Sequence, residues 1–397
     1  MQKIKWGIIG PGSIATAFAN SINHCQNSNL IGVFGRSKEK ANDFAKQFKI
    51  QSFGSLQDFL SSEDIDAVYV ATPHSDHFIY SLESIKHHKH VLCEKPLTMN
   101  AYESMILLDL AQSFKVFLME AYMYRVHPQT LNILNQLSLF DETNEKILIE
   151  GSFGFKAEIS TDHRLRNPLL GGGAILDVGC YPLSMSKLIA GHLQGLPFAE
   201  PKSITAAGRL DETGVDLQSD AHLVFSDHIE AKISCAIDEQ LPNKLAISCG
   251  DISITVAEPW HCGQFQEGTS SIFINHASGS VEEITFVDQI GLFTREIEHA
   301  SSCILNQKIE SDFILHADTQ SNMFWLDQWR QQMQIVCPKN FIRNSPLLES
   351  KAFLNQTSKL ENMAMPGLNK LASRLALGCD NQTSEVHAFT MFDNFYG

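Results

Sequence analysis

No two of the nine cysteines stand at CxxC spacing, and their number is odd. That suggests neither a disulfide framework nor a structural zinc site. A thiol-reduced, cytoplasmic protein is the expectation. No apolar run approaches the roughly 18 residues of a membrane span. Basic charge is scarce: 30 Lys+Arg face 45 Asp+Glu, a formal net charge of −15. Such a field repels phosphate backbones and anionic membranes, so neither is expected as a partner. Lys3 and Lys5 before an apolar stretch weakly mimic a secretion signal. Gly7, Gly10, Pro11 and Gly12 would break the apolar helix that such a signal needs. Internal repeats and low-complexity segments are also missing.

What remains is an ordinary globular composition. The 397 residues are 44% hydrophobic, enough for a sizeable core, and the length suggests two domains and a fragment of a third. Over the first third, short apolar runs (residues 5–9, 30–34, 67–71, 91–93 and 116–120) alternate with helix patterns. That alternation predicts βαβ units on a doubly wound parallel sheet, of the Rossmann type. Between residues 147 and 290 the texture changes to strand-like runs, interrupted by one helix pattern at 175–189. This predicts an α+β domain on a large, mostly antiparallel open sheet, closed by a long helix pattern at 312–334. The expected division is residues 1–123, 124–338 and 339–397.

Gly10-Pro11-Gly12-Ser13-Ile14-Ala15 follows the first strand and opens the first helix, with the spacing G-x-G-x-x-A. A tight turn needs Gly10, and close approach of a pyrophosphate needs no side chain at Gly12. The helix N-terminus at Ser13 and Ile14 then receives the negative charge. The second strand ends in Gly35-Arg36-Ser37 instead of the Asp or Glu that binds a ribose 2′-hydroxyl. Arg36 has the fork to hold a 2′-phosphate and Ser37 can donate a further hydrogen bond, so NADP(H) is expected, with NAD possible. Thr72-Pro73-His74-Ser75-Asp76-His77 and Glu94-Lys95-Pro96 each follow a strand end, where loops face a cofactor crevice. Thr72, Pro73, His77 and Glu94 are therefore candidate cofactor contacts. For His77, an exposed residue starting a helix is the plainer alternative. The run His87-His88-Lys89-His90 reads as cations at a helix C-terminus, not as a metal site.

Taken together, GPGSIA, ATPHSDH and CEKPLT resemble the glucose-fructose oxidoreductase/inositol dehydrogenase (Gfo/Idh/MocA) family. The resemblance continues through residues 119–129 and the Gly-rich segment 171–191, covering about residues 1–338. It is strongest to the branch with NADP-dependent xylose dehydrogenases and dimeric dihydrodiol dehydrogenases, which has Tyr at the end of a D-x-x-x-[HY] motif. Here that motif is Asp177-Val178-Gly179-Cys180-Tyr181. The resemblance implies that Lys95 and Tyr181 are catalytic, that Asp177 supports them, and that no metal is needed. Asp177 and Tyr181, four apart, should share a helix face. A Tyr is a poor base near neutrality, and a neighbouring Lys95 ammonium should favour its phenolate. Glu120 and Arg125 are expected near the nicotinamide or substrate, and Arg164 or Arg166 at a substrate hydroxyl. The resemblance also implies a homodimer formed through the second domain's sheet.

These features predict an NAD(P)-dependent oxidoreductase acting on a sugar, polyol or related small molecule. A trans-dihydrodiol or dicarbonyl-sugar substrate is one alternative, and a non-catalytic cofactor-binding sensor another. The tail is a separate matter. Residues 339–364 read as a polar linker, and residues 367–379 resemble the first strand of an aldo/keto reductase. Residues 386–395 would be its first helix, with no later segment to supply that family's chemistry.

Overall fold

The structure is a computed structural model that describes residues 2–140, 145–161, 163–264, 268–335, 362–364 and 371–373. Met1–Ile335 forms one unit and Val336–Gly397 another. In the first, β1 (Ile4–Ile9), α1 (Ser13–Ser21), β2 (Ser28–Phe34), α2 (Lys38–Phe48), β3 (Gln51–Ser52), α3 (Leu56–Leu60), β4 (Ala67–Val70), α4 (His74–Lys86), β5 (His90–Glu94), α5 (Ala101–Phe114) and β6 (Leu118–Ala121) follow in order. All six strands are parallel, in the order β3-β2-β1-β4-β5-β6. The order reverses between β1 and β4, and a doubly wound sheet opens its ligand crevice at the carboxyl ends there. The strands read as continuous apolar runs because helices cover both faces. Helix starts are capped by side chains: Ser37 caps α2, Ser55 caps α3 and Asn100 caps α5.

The chain goes on through α6 (Pro128–Gln136), β7 (Ile147–Gly154) and α7 (Cys180–His192). Seven more strands follow: β8 (Ser203–Leu210), β9 (Asp216–Val224), β10 (Ile229–Ala236), β11 (Leu245–Cys249), β12 (Ile252–Val256), β13 (Thr269–Asn275) and β14 (Val281–Val287). They join β7 in an eight-stranded sheet, β14-β13-β12-β11-β7-β10-β9-β8. Every pairing is antiparallel except β7 with β10. The fold class is therefore as expected, a Rossmann sheet plus a mostly antiparallel one. Ile149, Leu223, Ile233, Ile247, Ile254 and Ile272 are buried on one face, and α7 packs there. Glu150, Asp220, Lys232 and Thr285 stand exposed, each next to a buried or half-buried residue, which gives the alternation of a half-covered sheet.

Three helices were not read from the sequence, α3, α6 and α8 (Leu292–Leu305), although Pro128 behind His127 marks the start of α6; α9 (His316–Gln332) matches the expected long helix. α8 packs back on the first sheet: Ser301 Oγ accepts from Trp6 Nε1 at 2.9 Å and meets Ser28 Oγ at 2.8 Å. Trp6 and Phe18 are fully buried there, each worth about 1.5–3 kcal/mol of burial. On α9, Trp325, Leu326 and Trp329 are buried as a packing stripe, but Phe324 is 44% exposed.

In the second unit, β15 (Asn362–Ala364) and β16 (Leu371–Ser373) pair antiparallel. A strand at Asn362–Ala364 shortens the expected linker. Most of the expected linker and reductase-like strand, and all of the helix expected at 386–395, lie outside the described residues.

Candidate active site

The crevice begins at the turn after β1. Gly10 has φ +98°, and a Cβ there would sit 2.7 Å from the Ala71 carbonyl oxygen. Only glycine fits. At Gly12 nothing lies within 4 Å of such an atom, so the helix start faces open space. No side chain caps α1. The hydroxyl Oγ1 of Thr72, buried beside this turn, has no partner. An uncapped helix N-terminus, open space above it and an orphaned hydroxyl suit the pyrophosphate of a dinucleotide. Ser13 is exposed at this N-terminus, while the side chain of Ile14 packs on the core. Pro73 caps α4 without a side-chain bond. At the end of β2, Arg36 is well exposed and Ser37 Oγ accepts from Lys40 N.

Beyond β5, the Lys95–Pro96 peptide is cis. Lys95 Nζ donates to the Asp177 carbonyl at 2.6 Å, lies 3.9 Å from Asp177 Oδ1, and sits 5.1 Å from the centroid of the Tyr181 ring. The expected single helix at 175–189 is in fact a π-type turn, Ile175–Gly179, running into α7. π turns are rare and recur at functional sites. Pro182, five residues on, has no N–H to offer the Asp177 carbonyl, which receives Lys95 Nζ and, at 3.9 Å, Cys180 Sγ.

Asp177 collects positive groups. Arg164 Nη1 donates to Oδ1 at 3.2 Å and His74 Nε2 lies 3.7 Å away. Burial pushes the Asp177 carboxyl up, but Lys95 and Arg164 hold it below the ordinary range. His74 Nδ1 donates to the Gly171 carbonyl at 2.8 Å. Burial drives its pKa down to about 3, against the pull of Asp177, so the ring is neutral. Asp216 holds the whole helix start: its Oδ2 accepts from Ile175 N at 2.5 Å, and a Cβ on Gly173 would lie 2.2 Å from its Oδ1. Burial raises the Asp216 pKa to about 7. Neither His74 nor Asp216 was assigned a role from sequence. His74 stands in a motif that could have suggested it, whereas Asp216 comes from a distant strand with no local cue.

Several expectations are corrected. Tyr181 is not shifted toward phenolate. Burial pushes its pKa well above the ordinary value, and its hydroxyl meets Met123 Sδ at 3.8 Å while Lys95 lies over the ring face. His77 does not face a ligand: it is fully buried, with Nδ1 2.8 Å from the Pro96 carbonyl and Nε2 2.9 Å from that of Thr72. It wedges the two loops apart at a fixed spacing. Glu120 accepts from Leu97 N at 2.9 Å and braces the loop after Lys95 from beneath. Arg125 is buried and bonds Ser184 Oγ, the Phe313 carbonyl and Asp318. Its two terminal nitrogens serve the core. Arg166 pairs with Asp211 at 2.7 Å, leaving Arg164 as the arginine at the site. Glu94 accepts from the Tyr69 hydroxyl, and burial raises its pKa despite Lys95. The three histidines near 88 diverge: His87 bonds the Glu83 carbonyl, His88 packs on Phe114, and His90 accepts from Phe117 N.

An aromatic group stands beside Tyr181. Phe153 is 5.1 Å from it and Trp260 6.0 Å, and His261 meets Phe153 edge-on at 5.4 Å. Burial lowers the His261 pKa and the Lys95 charge lowers it further, so ammonium and imidazole share one environment.

Comparison with known proteins accords with this geometry. Residues 4–122 match the oxidoreductase family with an NAD-binding Rossmann fold, Gfo/Idh/MocA, and residues 145–255 match a C-terminal domain of the same family. Trans-1,2-dihydrobenzene-1,2-diol dehydrogenase of Xenopus laevis is 31% identical over 346 residues, 84% of this chain and 99% of that one. The chain is a Gfo/Idh/MocA oxidoreductase. Another relative is the NADP(+) D-xylose 1-dehydrogenase of Hypocrea jecorina, 31% identical over 237 residues, 54% of this oxidoreductase and 60% of that protein. Among solved structures, the fold is shared with a 3-ketoreductase of Actinomadura kijaniata in complex with NADP and TDP-benzene. That match has TM-score 0.73 and 20% identity, over 83% of this chain and 98% of that one. An aldose-aldose oxidoreductase of Caulobacter crescentus aligns at TM-score 0.73 and 20% identity, over 84% and 98%.

Proposed function

We propose that this oxidoreductase uses NADP(H) to interconvert a secondary alcohol and a carbonyl on a small ring that carries neighbouring hydroxyls. A sugar and a trans-dihydrodiol both belong to that class. The observation that carries the reading is Lys95, held by the Asp177 carbonyl at 2.6 Å and over Tyr181 at 5.1 Å. It stands just past a strand end of the sheet that bears the glycine turn. The dehydrogenases of Xenopus and Hypocrea, whose names specify a dihydrodiol and D-xylose, support the substrate class. Phe153 and His261 support it too, since the electron-rich face of an aromatic ring suits the C–H groups on the apolar face of a sugar or diol.

When bound, NADP supplies the nicotinamide carbon that takes or gives hydride. Gly10, Gly12, Ser13, Ile14 and Thr72 hold its pyrophosphate, and Arg36 with Ser37 its 2′-phosphate. Lys95 orients the reacting oxygen and stabilises negative charge on it. Tyr181, a phenol when its pocket is empty of substrate, donates the proton to that oxygen in reduction and receives it in oxidation. Asp177, with Arg164, binds an adjacent hydroxyl and keeps Lys95 in place. Glu94, His77 and Glu120 act through the loops they brace. Assembly as a homodimer across the open sheet face is part of the same proposal.

The test is a panel of aldoses, polyols and cyclic trans-diols with NADP⁺ and NAD⁺, followed at the nicotinamide absorbance. Turnover of a cyclic diol or aldose with a preference for NADP⁺ is expected. Turnover only with NAD⁺ rejects the role of Arg36, and no turnover across the panel with bound nucleotide favours a sensor.

A further inference from the structure

Arg36 follows β2, and Asp76 lies in the first turn of α4. Their side chains meet across the crevice, Arg36 Nη2 to Asp76 Oδ2, at 3.0 Å. The arginine side chain is 69% exposed and the aspartate 19%. The contact is a charge pairing without an aligned hydrogen bond, because Oδ2 has no hydrogen-bond partner. Oδ1 accepts only a long contact from Ser75 Oγ at 3.5 Å. Burial raises the Asp76 pKa, and Arg36 offsets that only in part. Tyr80, one turn along α4, faces the same pair: burial and Asp76 raise its pKa, and Arg36 lowers it. The guanidinium is therefore drawn toward a carboxylate that does not engage its fork, and its donors remain free to grip another anion.

We propose that Asp76 is a specificity-determining residue for the cofactor: its carboxylate competes with the 2′-phosphate for Arg36 and weakens the preference for NADP(H) over NAD(H). The inference rests on the reading of Arg36 given above. A 2′-phosphate gripped by Arg36 comes close to a second negative charge, and the two repel. At a partly exposed site the repulsion is screened, so its effect is modest.

The experiment titrates the full chain, without substrate, with adenosine 2′,5′-bisphosphate and with 5′-AMP, by calorimetry. In Asp76→Asn the bisphosphate should bind about 3–10-fold more tightly, with 5′-AMP unchanged, which also shows that the site is folded. An equal or weaker affinity for the bisphosphate overturns the inference, because Asp76 would then be neutral or would be aiming Arg36 at the phosphate. Arg36→Ala separates the two readings. If it binds the bisphosphate as tightly as the parent, the role of Arg36 fails and the inference with it. If it weakens binding tenfold or more while Asp76→Asn changes nothing, only the inference fails.

Discussion

The dinucleotide turn and the Lys95 cluster lie at strand ends of one sheet but are built in opposite ways. The turn is main chain: glycines, an uncapped helix start and a threonine, nearly all within one stretch of sequence. The cluster is side chain: Lys95, His74 and Arg164 come from separate segments and converge on the buried Asp177 carboxylate, with the Tyr181 ring under Lys95. A main-chain site depends on backbone shape and tolerates many side chains around it. A side-chain site depends on charge balance, so the loss of one member exposes the others.

Lys95→Met should show that difference most strongly. Its kcat is expected to fall about 10³-fold or more, while the NADP⁺ dissociation constant in a fluorescence titration moves little. Comparable loss in both would place Lys95 in the cofactor site and merge the two regions. Tyr181→Phe should lower kcat by about 10²-fold or more with cofactor binding intact. Unchanged turnover removes Tyr181 from the proton transfer.

A smaller effect tests the charge balance itself. Burial raises the Asp216 pKa to about 7, above its unfolded value near 4. The stabilisation from its bound proton is fully present below about pH 4 and lost as pH rises through about 7. Asp216→Asn keeps an acceptor for Ile175 N without the titration. Melting should show the variant gaining on the parent between pH 5 and pH 8. A parallel pH dependence in the two would mean that Asp216 does not titrate in this range. The smallest expected effect is removal of residues 345–397, which should leave kcat and KM within twofold of the full chain. Complete loss would make the tail part of the enzyme.

How much was legible follows the same division. The parallel sheet, the glycine turn and the strand-end position of Lys95 could be read because each depends on adjacent residues. The π turn could not, because Pro182 looks like an ordinary first-turn proline until Lys95 is seen bonded to the Asp177 carbonyl. Arg125 and Glu120 were misplaced because a charged residue next to a motif suggests a ligand. Their partners, Asp318 and Leu97 N, are fixed only by tertiary packing. His77 misled in the same way, since a buried neutral histidine set between two carbonyls has no sequence mark. The Tyr181 pKa was misjudged because one favourable ammonium was weighed without the desolvation of a fully enclosed ring.

Pro182 has a wider consequence. It lies inside the continuous run from the π turn into α7 and offers no N–H to the Asp177 carbonyl, which receives Lys95 Nζ. Replacing it with alanine would offer that oxygen a competing main-chain N–H and loosen Lys95. An enzyme of this kind could thus be silenced, or during divergence retuned, at a residue that touches neither substrate nor cofactor and carries no chemistry of its own.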